Sequence, residues 1–460
     1  MLKVLRQYFP LRTLHQAAID AALLLSAALI AVLSQAGTET VGWTVILPSA
    51  VFFAVAMVGL NTAMGLYRHH GGASSSDAFR RVALSVVISV PIALVIFNLL
   101  PWSAVTSAPT RYSTLAALGL LLLMRGLGGR WGAKAMTGSR VMIVGVGPDA
   151  EEVRRVLADD PARHGFLVGF YPGVKDDEYV VDPRKTLPQR DLLEAVRENK
   201  VTEVVVALRE RRGGNVSLRA LLDCRLAGVK VTDVSSFFER TSGQIRVDSL
   251  RASWLIYGDG FRQGVLRTVV KRCFDIVCSL VLLILASPVM LLTALLVLLE
   301  DGAPVFYRQT RVGLGGRTFE VIKFRSMRRD AEKDGKPRWA SANDDRVTRI
   351  GRIIRRLRID ELPQLFNVLI GEMSLVGPRP ERPYFVDQLV KDIPFYSVRH
   401  CVKPGVTGWA QVRYQYGSSV DDSIEKLQYD LYYVKNHTLV LDIAVLFETV
   451  RVVLTGEGAQ

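Results

Sequence analysis

The run CFDIVCSLVLLILASPVMLLTALLVLL, Cys273–Leu299, decides how this chain is arranged. It exceeds the ~20 apolar residues that span a bilayer. Arg267, Lys271 and Arg272 precede it, and Arg308, Arg311, Arg317, Lys323, Arg325, Arg328 and Arg329 follow soon after. A simple crossing would carry one of these basic flanks outside, against the positive-inside rule. Ser287-Pro288 sits mid-run. Proline removes one helix hydrogen bond and crowds the preceding turn, and a neighbouring serine hydroxyl can satisfy the freed carbonyl. The expectation is therefore a re-entrant helix that enters, breaks at Ser287 and Pro288, and returns to the cytoplasmic face. A kinked full span is the alternative.

Four further apolar runs fill the first 130 or so residues: Ala17–Leu33, Trp43–Tyr67, Val82–Leu100 and Leu115–Leu127. Lys3, Arg6 and Arg12 precede the first, Arg68, Arg80 and Arg81 separate the second from the third, and Arg125, Arg130, Lys134 and Arg140 end the fourth. The other two loops lack Lys and Arg. That asymmetry places both ends of a four-helix transmembrane unit, residues 1–135, in the cytoplasm. A soluble helical bundle is the competing reading. No cleavable signal peptide is evident, because the apolar segments recur.

From Arg140 the pattern changes. Val141–Val144 runs into Gly145-Val146-Gly147, a strand entering a tight turn, and Glu151–Leu157 reads as the next helix, opened by Asp149. The β-type runs Val204–Val206 and Val229–Val231 alternate with helical Asp191–Glu198 and Ser217–Leu226. Such alternation predicts a small doubly wound, Rossmann-like α/β domain over residues 136–262. Gly145, Gly147 and Ala150 form an imperfect dinucleotide fingerprint, with Ala at the third glycine position and Pro148 inside it. A structural or oligomerising role is the preferred reading of this domain.

The whole chain, 460 residues with a formal charge of +14, calls for anionic partners: nucleic acid, nucleotides, phospholipid or polyprenyl phosphate. Its four scattered cysteines suggest neither a disulfide framework nor a zinc site. Residues 263–460 carry the chemistry. Val305–Tyr307 and Phe319–Ile322 flank Gly313–Gly316 as a small hairpin leading into Lys323-Phe324-Arg325-Ser326-Met327. Lys323 and Arg325, two apart on a strand, project from one face, as a diphosphate grip requires. Ile350, Ile353, Ile354 and Leu357 follow a helical period opposite Arg352, Arg355 and Arg356. This basic helix ends at Arg358-Ile359-Asp360-Glu361-Leu362-Pro363-Gln364, and Pro363 starts another helix reaching about Gly371. Adjacent carboxylates before a helix are usually a cap; amid these cations they can also hold a divalent metal or attack phosphorus. Two stiff loops, Leu375–Glu381 with Arg379 and Glu381, and Lys403–Gln411, add to the set. The apolar Leu439–Leu454 is expected to pack on the domain or lie on lipid.

Taken together, the Ser287-Pro288 break, Lys323–Met327, Asp360–Gln364, Ser374–Glu381 and Pro404–Val412 resemble the bacterial sugar transferases, the monotopic phosphoglycosyl transferases. The likeness runs from about Thr268 to the C-terminus in matching order. The four-span unit and α/β domain resemble the large, exopolysaccharide-type members. The resemblance implies a mostly helical catalytic domain with a re-entrant helix. It implies transfer of a sugar-1-phosphate from a nucleotide-sugar donor, UDP-hexose being expected, to undecaprenyl phosphate, with Mg2+, at the bacterial inner membrane. It further implies Asp360 as nucleophile through a covalent phosphosugar, with Glu361 as partner and both as metal ligands. Lys323, Arg325, Arg355, Arg379 and Glu381 fall near substrate phosphates. After Trp409–Val412 the chain reads Arg413-Tyr414-Gln415 where many members have Asn-Gly-Arg, so Arg413 is a candidate replacement cation. Partners implied are membrane lipid and, by analogy, a second copy of the chain.

Two other classes compete. A membrane-anchored nucleotide-sugar dehydratase needs a helical Tyr-xxx-Lys pair; Tyr171 and Lys175 have that spacing, but Pro172-Gly173 lies between them. A basic scaffold or nucleic-acid-binding protein is disfavoured because carboxylates beside the cations would repel a nucleic-acid backbone. No nucleic-acid partner is expected.

Overall fold

The computed structural model describes residues 11–33, 43–63, 91–92, 139–159, 165–172, 180–188, 190–208, 217–247, 264–329, 331, 346–414 and 419–455. The chain divides into two compact units, Met1–Ser242 and Gly243–Gln460.

In the first unit, α1 (Leu11–Leu33) and α2 (Trp43–Ala63) coincide with the first two apolar runs and pack on each other, burying Leu24, Phe53 and Met57. The third and fourth runs lie outside the described residues, apart from helical Pro91 and Ile92. The α/β part follows as β1 (Arg140–Val144), α3 (Pro148–Asp159), β2 (Phe166–Tyr171), α4 (Leu192–Glu198), β3 (Glu203–Val206), α5 (Leu218–Leu226), β4 (Lys230–Asp233) and α6 (Val234–Thr241). The strands are parallel in the order β2-β1-β3-β4. Because successive side chains on a strand point to opposite faces, Val141, Ile143 and Val205 pack with Val153, Leu157 and Phe237, while Met142, Val144 and Val204 pack with Leu192, Val196 and Cys224. Helices α3 and α6 thus cover one face and α4 and α5 the other, the doubly wound arrangement expected. Strand β2 and helix α6 were not anticipated. Gly145 has φ 121°, and a Cβ there would lie 2.4 Å from the Ala207 carbonyl oxygen, so sheet packing alone demands glycine at this turn. Asp149 and Glu151 occupy the first turn of α3, where their charge disfavours an anion. Tyr171 closes a strand and is not helical, so the Tyr-xxx-Lys spacing has no helix to act on.

The second unit begins with α7 (Val265–Asp301), the one described helix long and apolar enough to cross a membrane. Ile284, Leu285, Leu291 and Leu299 are each about 70% exposed, a surface suited to lipid. Pro288 deprives the Ile284 carbonyl of its helix donor, and the Ser287 hydroxyl donates to that carbonyl at 2.8 Å. The basic start of the helix anchors it: Arg272 donates to the carbonyls of Val368 and Leu369, and Lys271 pairs with buried Asp442 at 2.8 Å. Buried Asp275 accepts from the Ser374 hydroxyl at 2.8 Å and from the Leu375 N–H at 3.3 Å.

Strands β5 (Phe306–Val312) and β6 (Thr318–Phe324) form the expected antiparallel hairpin around a 3-10 turn, Leu314–Gly316. Next come α8 (Arg349–Arg356), a 3-10 turn Ile359–Glu361, α9 (Gln364–Ile370), β7 (Ser374–Val376), α10 (Pro383–Asp392), a 3-10 segment Tyr396–Cys401, β8 (Gly405–Thr407), α11 (Trp409–Arg413), α12 (Val420–Asn436) and α13 (Leu439–Thr455). The apolar arc of α8 is divided: Ile350 and Ile354 join Met290, Val297 and Phe324 in a core, while Ile353 and Leu357 remain exposed. The two stiff loops contain a parallel ladder, β7 with β8, that no alternation announced. The strands approach so closely that a Cβ on Gly377 would lie 2.3 Å from the Lys403 carbonyl oxygen.

Candidate active site

The acid pair is set in place by three local devices. Thr348 caps α8 through the Gly351 N–H at 2.8 Å, which fixes where the basic helix starts. Arg358, just past its end, adopts a left-handed conformation (φ 58°, ψ 16°) that turns the chain into the Ile359–Glu361 segment. For a non-glycine residue that conformation costs about 1 kcal/mol, which the surrounding packing must offset. Asn367 then docks α9 on β6, its amide donating to the Glu320 carbonyl at 2.7 Å and its oxygen accepting the Ile322 N–H at 3.1 Å. The strand carrying Lys323 is thereby held against the acids.

Asp360 and Glu361 are both buried, at 8% and 7% exposure, yet they are treated oppositely. Glu361 Oε1 accepts from Lys323 Nζ at 2.9 Å and from Arg379 Nη2 at 2.8 Å, with Arg358 Nη1 3.9 Å from Oε2. Burial alone would raise its pKa; Arg379, Lys323 and Arg358 instead hold it well below the usual carboxylate range. Asp360 has no hydrogen bond or close ion pair among the described residues. Burial, then the Glu361 charge, push it up to about 6 against the pull of Lys323, Arg355 and Arg358. One carboxylate is committed and the other is left for chemistry.

Both acids line a cavity of about 700 Å³. Its walls carry twelve Lys and Arg against four Asp and Glu, so it is built for anions. The loop bearing Arg379 is held along its length. Its Gly377 N–H donates to the Thr407 carbonyl at 2.9 Å, and the Pro378 carbonyl accepts the Gly405 N–H at 3.0 Å. The next three carbonyls accept in turn from Arg399 (2.9 Å), Arg311 (3.2 Å) and the Val312 N–H (2.9 Å).

The sequence profile described as bacterial sugar transferase matches residues 266–456. A UDP-N-acetylgalactosamine-undecaprenyl-phosphate N-acetylgalactosaminephosphotransferase of Aeromonas hydrophila is 45% identical over 242 residues, covering 53% of this chain and 56% of that protein. A UDP-glucose:undecaprenyl-phosphate glucose-1-phosphate transferase of Xanthomonas campestris pv. campestris is 34% identical over 345 residues, 73% of this chain and 71% of that one. This chain belongs to the bacterial sugar transferase family. An uncharacterized sugar transferase of Bacillus subtilis (strain 168) is 42% identical over 196 residues, which cover 42% of this chain and 91% of that protein. The matched stretch therefore spans only about half the length of the Aeromonas relative, and nearly all of the Bacillus one.

Within this family member the remaining site candidates part company. Arg355, Arg379, Lys323 and Glu381 line the cavity with the acid pair. Glu381 faces Arg311 at 3.5 Å. Arg325 also borders the cavity, but its guanidinium donates to the Asp301 and Gly302 carbonyls at the end of α7. Lys323 is thus tied to Glu361 and Arg325 to the end of α7, although both line the cavity. Arg413 stacks over the Trp409 ring at 4.2 Å and is not among the lining residues; its neighbour Tyr414 is. Ser287 and Pro288 lie in α7, away from the cavity walls.

Several lining residues were not singled out as site residues in the sequence. Tyr307, Gln309 and Arg311 alternate along β5, and Tyr307 pairs in register with Lys323, so a period-two reading of the hairpin would have found them. Arg399 and Asp430, a buried pair at 2.7 Å, had no sequence signal, since 31 positions of irregular chain and helix separate them. As for a metal, magnesium in phosphate-transfer sites is held by one or two carboxylates together with substrate phosphates. Asp360 offers an uncommitted carboxylate and Glu361 a second oxygen. No cluster of three His, Cys, Asp or Glu able to cage an ion occurs among the described residues. The donor set fits an ion shared with phosphate.

Proposed function

We propose that this protein transfers a sugar-1-phosphate from a UDP-sugar to undecaprenyl phosphate, the first step in building an exopolysaccharide or O-antigen. The observation that carries this reading is the division of labour at the acid pair, with Glu361 tied to Lys323 and Arg379 while Asp360 faces a cationic cavity uncommitted. An Asp360 oxygen attacks the phosphorus that bears the sugar. A P–O bond forms, the bond from that phosphorus to the bridging oxygen breaks, and UMP leaves. A phosphate oxygen of undecaprenyl phosphate then attacks the same phosphorus and releases the Asp360 carboxylate, leaving undecaprenyl diphosphate sugar. Phosphoryl transfer needs alignment and charge neutralisation more than proton transfer. Lys323, Arg355, Arg358 and Arg379 supply that charge. Mg2+ held by Asp360 and Glu361 with the donor diphosphate would neutralise charge on the phosphate oxygens.

The lipid acceptor calls for a membrane placement. The exposed apolar surface of α7, the proline within it and its basic flanks support a re-entrant helix on the cytoplasmic face of the inner membrane, although the helix runs through Ser287 and Pro288 without the expected break. A four-span unit precedes it in the chain. The test is UMP release from membranes supplied with UDP-sugar, Mg2+ and undecaprenyl phosphate. Asp360→Asn is expected to abolish release and any radiolabelled phosphosugar adduct; full turnover in that variant would sink the mechanism.

A further inference from the structure

Arg399 sits in the Tyr396–Cys401 segment, 5% exposed, and its guanidinium reaches three acceptors. Nη1 donates to the Tyr396 hydroxyl at 2.6 Å, and Nη2 to the Arg379 carbonyl at 2.9 Å and the Asp430 carboxylate at 2.7 Å. Asp430, 2% exposed on α12, lines the cavity too and anchors this fork. A buried ion pair is weak evidence of stabilisation in itself, since apolar residues often do as well. What distinguishes this one is its third partner. The Arg379 carbonyl lies between Pro378 and Pro380, which have no N–H to offer a ladder. The Arg399 fork therefore holds the one backbone unit from which the Arg379 guanidinium reaches Glu361.

We infer that Arg399 is a positioning residue for the transfer, acting through the Arg379 backbone, with Asp430 and Tyr396 orienting its guanidinium. The inference rests on the proposed function. Lysine keeps the charge but cannot reproduce a planar fork that serves three acceptors. Misplacing Arg379 by about 1 Å reduces transition-state stabilisation more than ground-state binding.

The experiment compares UMP release by the full-length membrane enzyme with Arg399→Lys and with Tyr396→Phe, which removes a single hydrogen bond should the first variant fold poorly. Arg399→Lys is expected to lower kcat about tenfold or more with KM for the UDP-sugar changed far less, and Tyr396→Phe to lower kcat in the same way by about threefold. In an Arg379→Lys background both losses are expected to shrink, because the group being positioned is gone. Unchanged kcat, a rise in KM alone, or losses that multiply fully with Arg379→Lys would each overturn the inference. Those outcomes leave the proposed function standing as long as wild-type turnover depends on Asp360; turnover that survives Asp360→Asn would instead remove the function itself.

Discussion

At the scale of single residues, two adjacent carboxylates have been driven in opposite directions by their neighbours. Asp360 is raised to about 6 from an ordinary value of 3.8, so the folded state binds its proton more tightly than the unfolded chain does. Its charge therefore costs stability above about pH 6, by about 3 kcal/mol at most, and costs nothing below about pH 4. Asp360→Asn is expected to raise the thermal unfolding midpoint at pH 8 while abolishing turnover, with the gain fading as the pH falls towards 4. A lowered midpoint at pH 8 would mean that the carboxylate has a stabilising partner. Glu361 has the opposite sign. Its depressed pKa contributes stability above its unfolded value, lost as acid protonates it. Glu361→Gln should destabilise by about 2 kcal/mol near neutral pH, less than for a fully buried pair because Arg379 and Lys323 retain 27% and 19% exposure. Matched melts of the two variants at pH 8 separate these signs. Sequence alone supplied the acid pair and the cations around it. It could not say which acid is paired, because Lys323 and Arg379 reach Glu361 from a strand and a loop brought in by tertiary packing.

At the scale of elements, α7 holds the sharpest local prediction. Ser287 supplies the donor that Pro288 denies to the Ile284 carbonyl. α7 runs as one continuous helix through Pro288. Pro288→Ala returns a backbone N–H to that carbonyl and removes the ring clash, which favours a straighter helix and so a crossing. In a chain with its four cysteines replaced by alanine, Leu314→Cys on the exposed hairpin turn is expected to react only with reagents reaching the cytoplasmic side. Adding Pro288→Ala should make part of the population reactive from outside. Outside labelling without Pro288→Ala would show that α7 already crosses. Long periodic or alternating elements were legible: α7, α8, the hairpin, and β1, β3 and β4 with their helices. Strand β2 escaped because Gly169 interrupts a short apolar run. The β7–β8 ladder escaped because each strand has only three residues, held by a partner about thirty positions away.

At the scale of the whole molecule, every residue lining the cavity falls between Pro304 and Asp430, inside the unit Gly243–Gln460. A Bacillus relative aligns over 91% of its length with only 196 residues. The transfer chemistry should therefore reside in the second unit, but where that unit begins matters. Residues 243–247 pack into it ahead of α7: the Gly243 carbonyl accepts the Trp409 indole N–H at 2.8 Å, and the Ile245 N–H donates to the Gln428 carbonyl at 3.0 Å. Trp409 is 5% exposed and stacks on Tyr432, so an orphaned indole N–H there costs about 1–3 kcal/mol. A chain beginning at Gly243 is expected to fold in membranes and release UMP from a UDP-sugar, whereas one beginning at Gly264 should melt lower and turn over less. Trp409→Phe, which needs no acceptor, should narrow the difference between the two chains. If the Gly264 chain proves as stable as the Gly243 chain, residues 243–247 are a linker and not part of the second unit. If neither chain turns over while the full-length protein does, the first unit contributes to the chemistry itself.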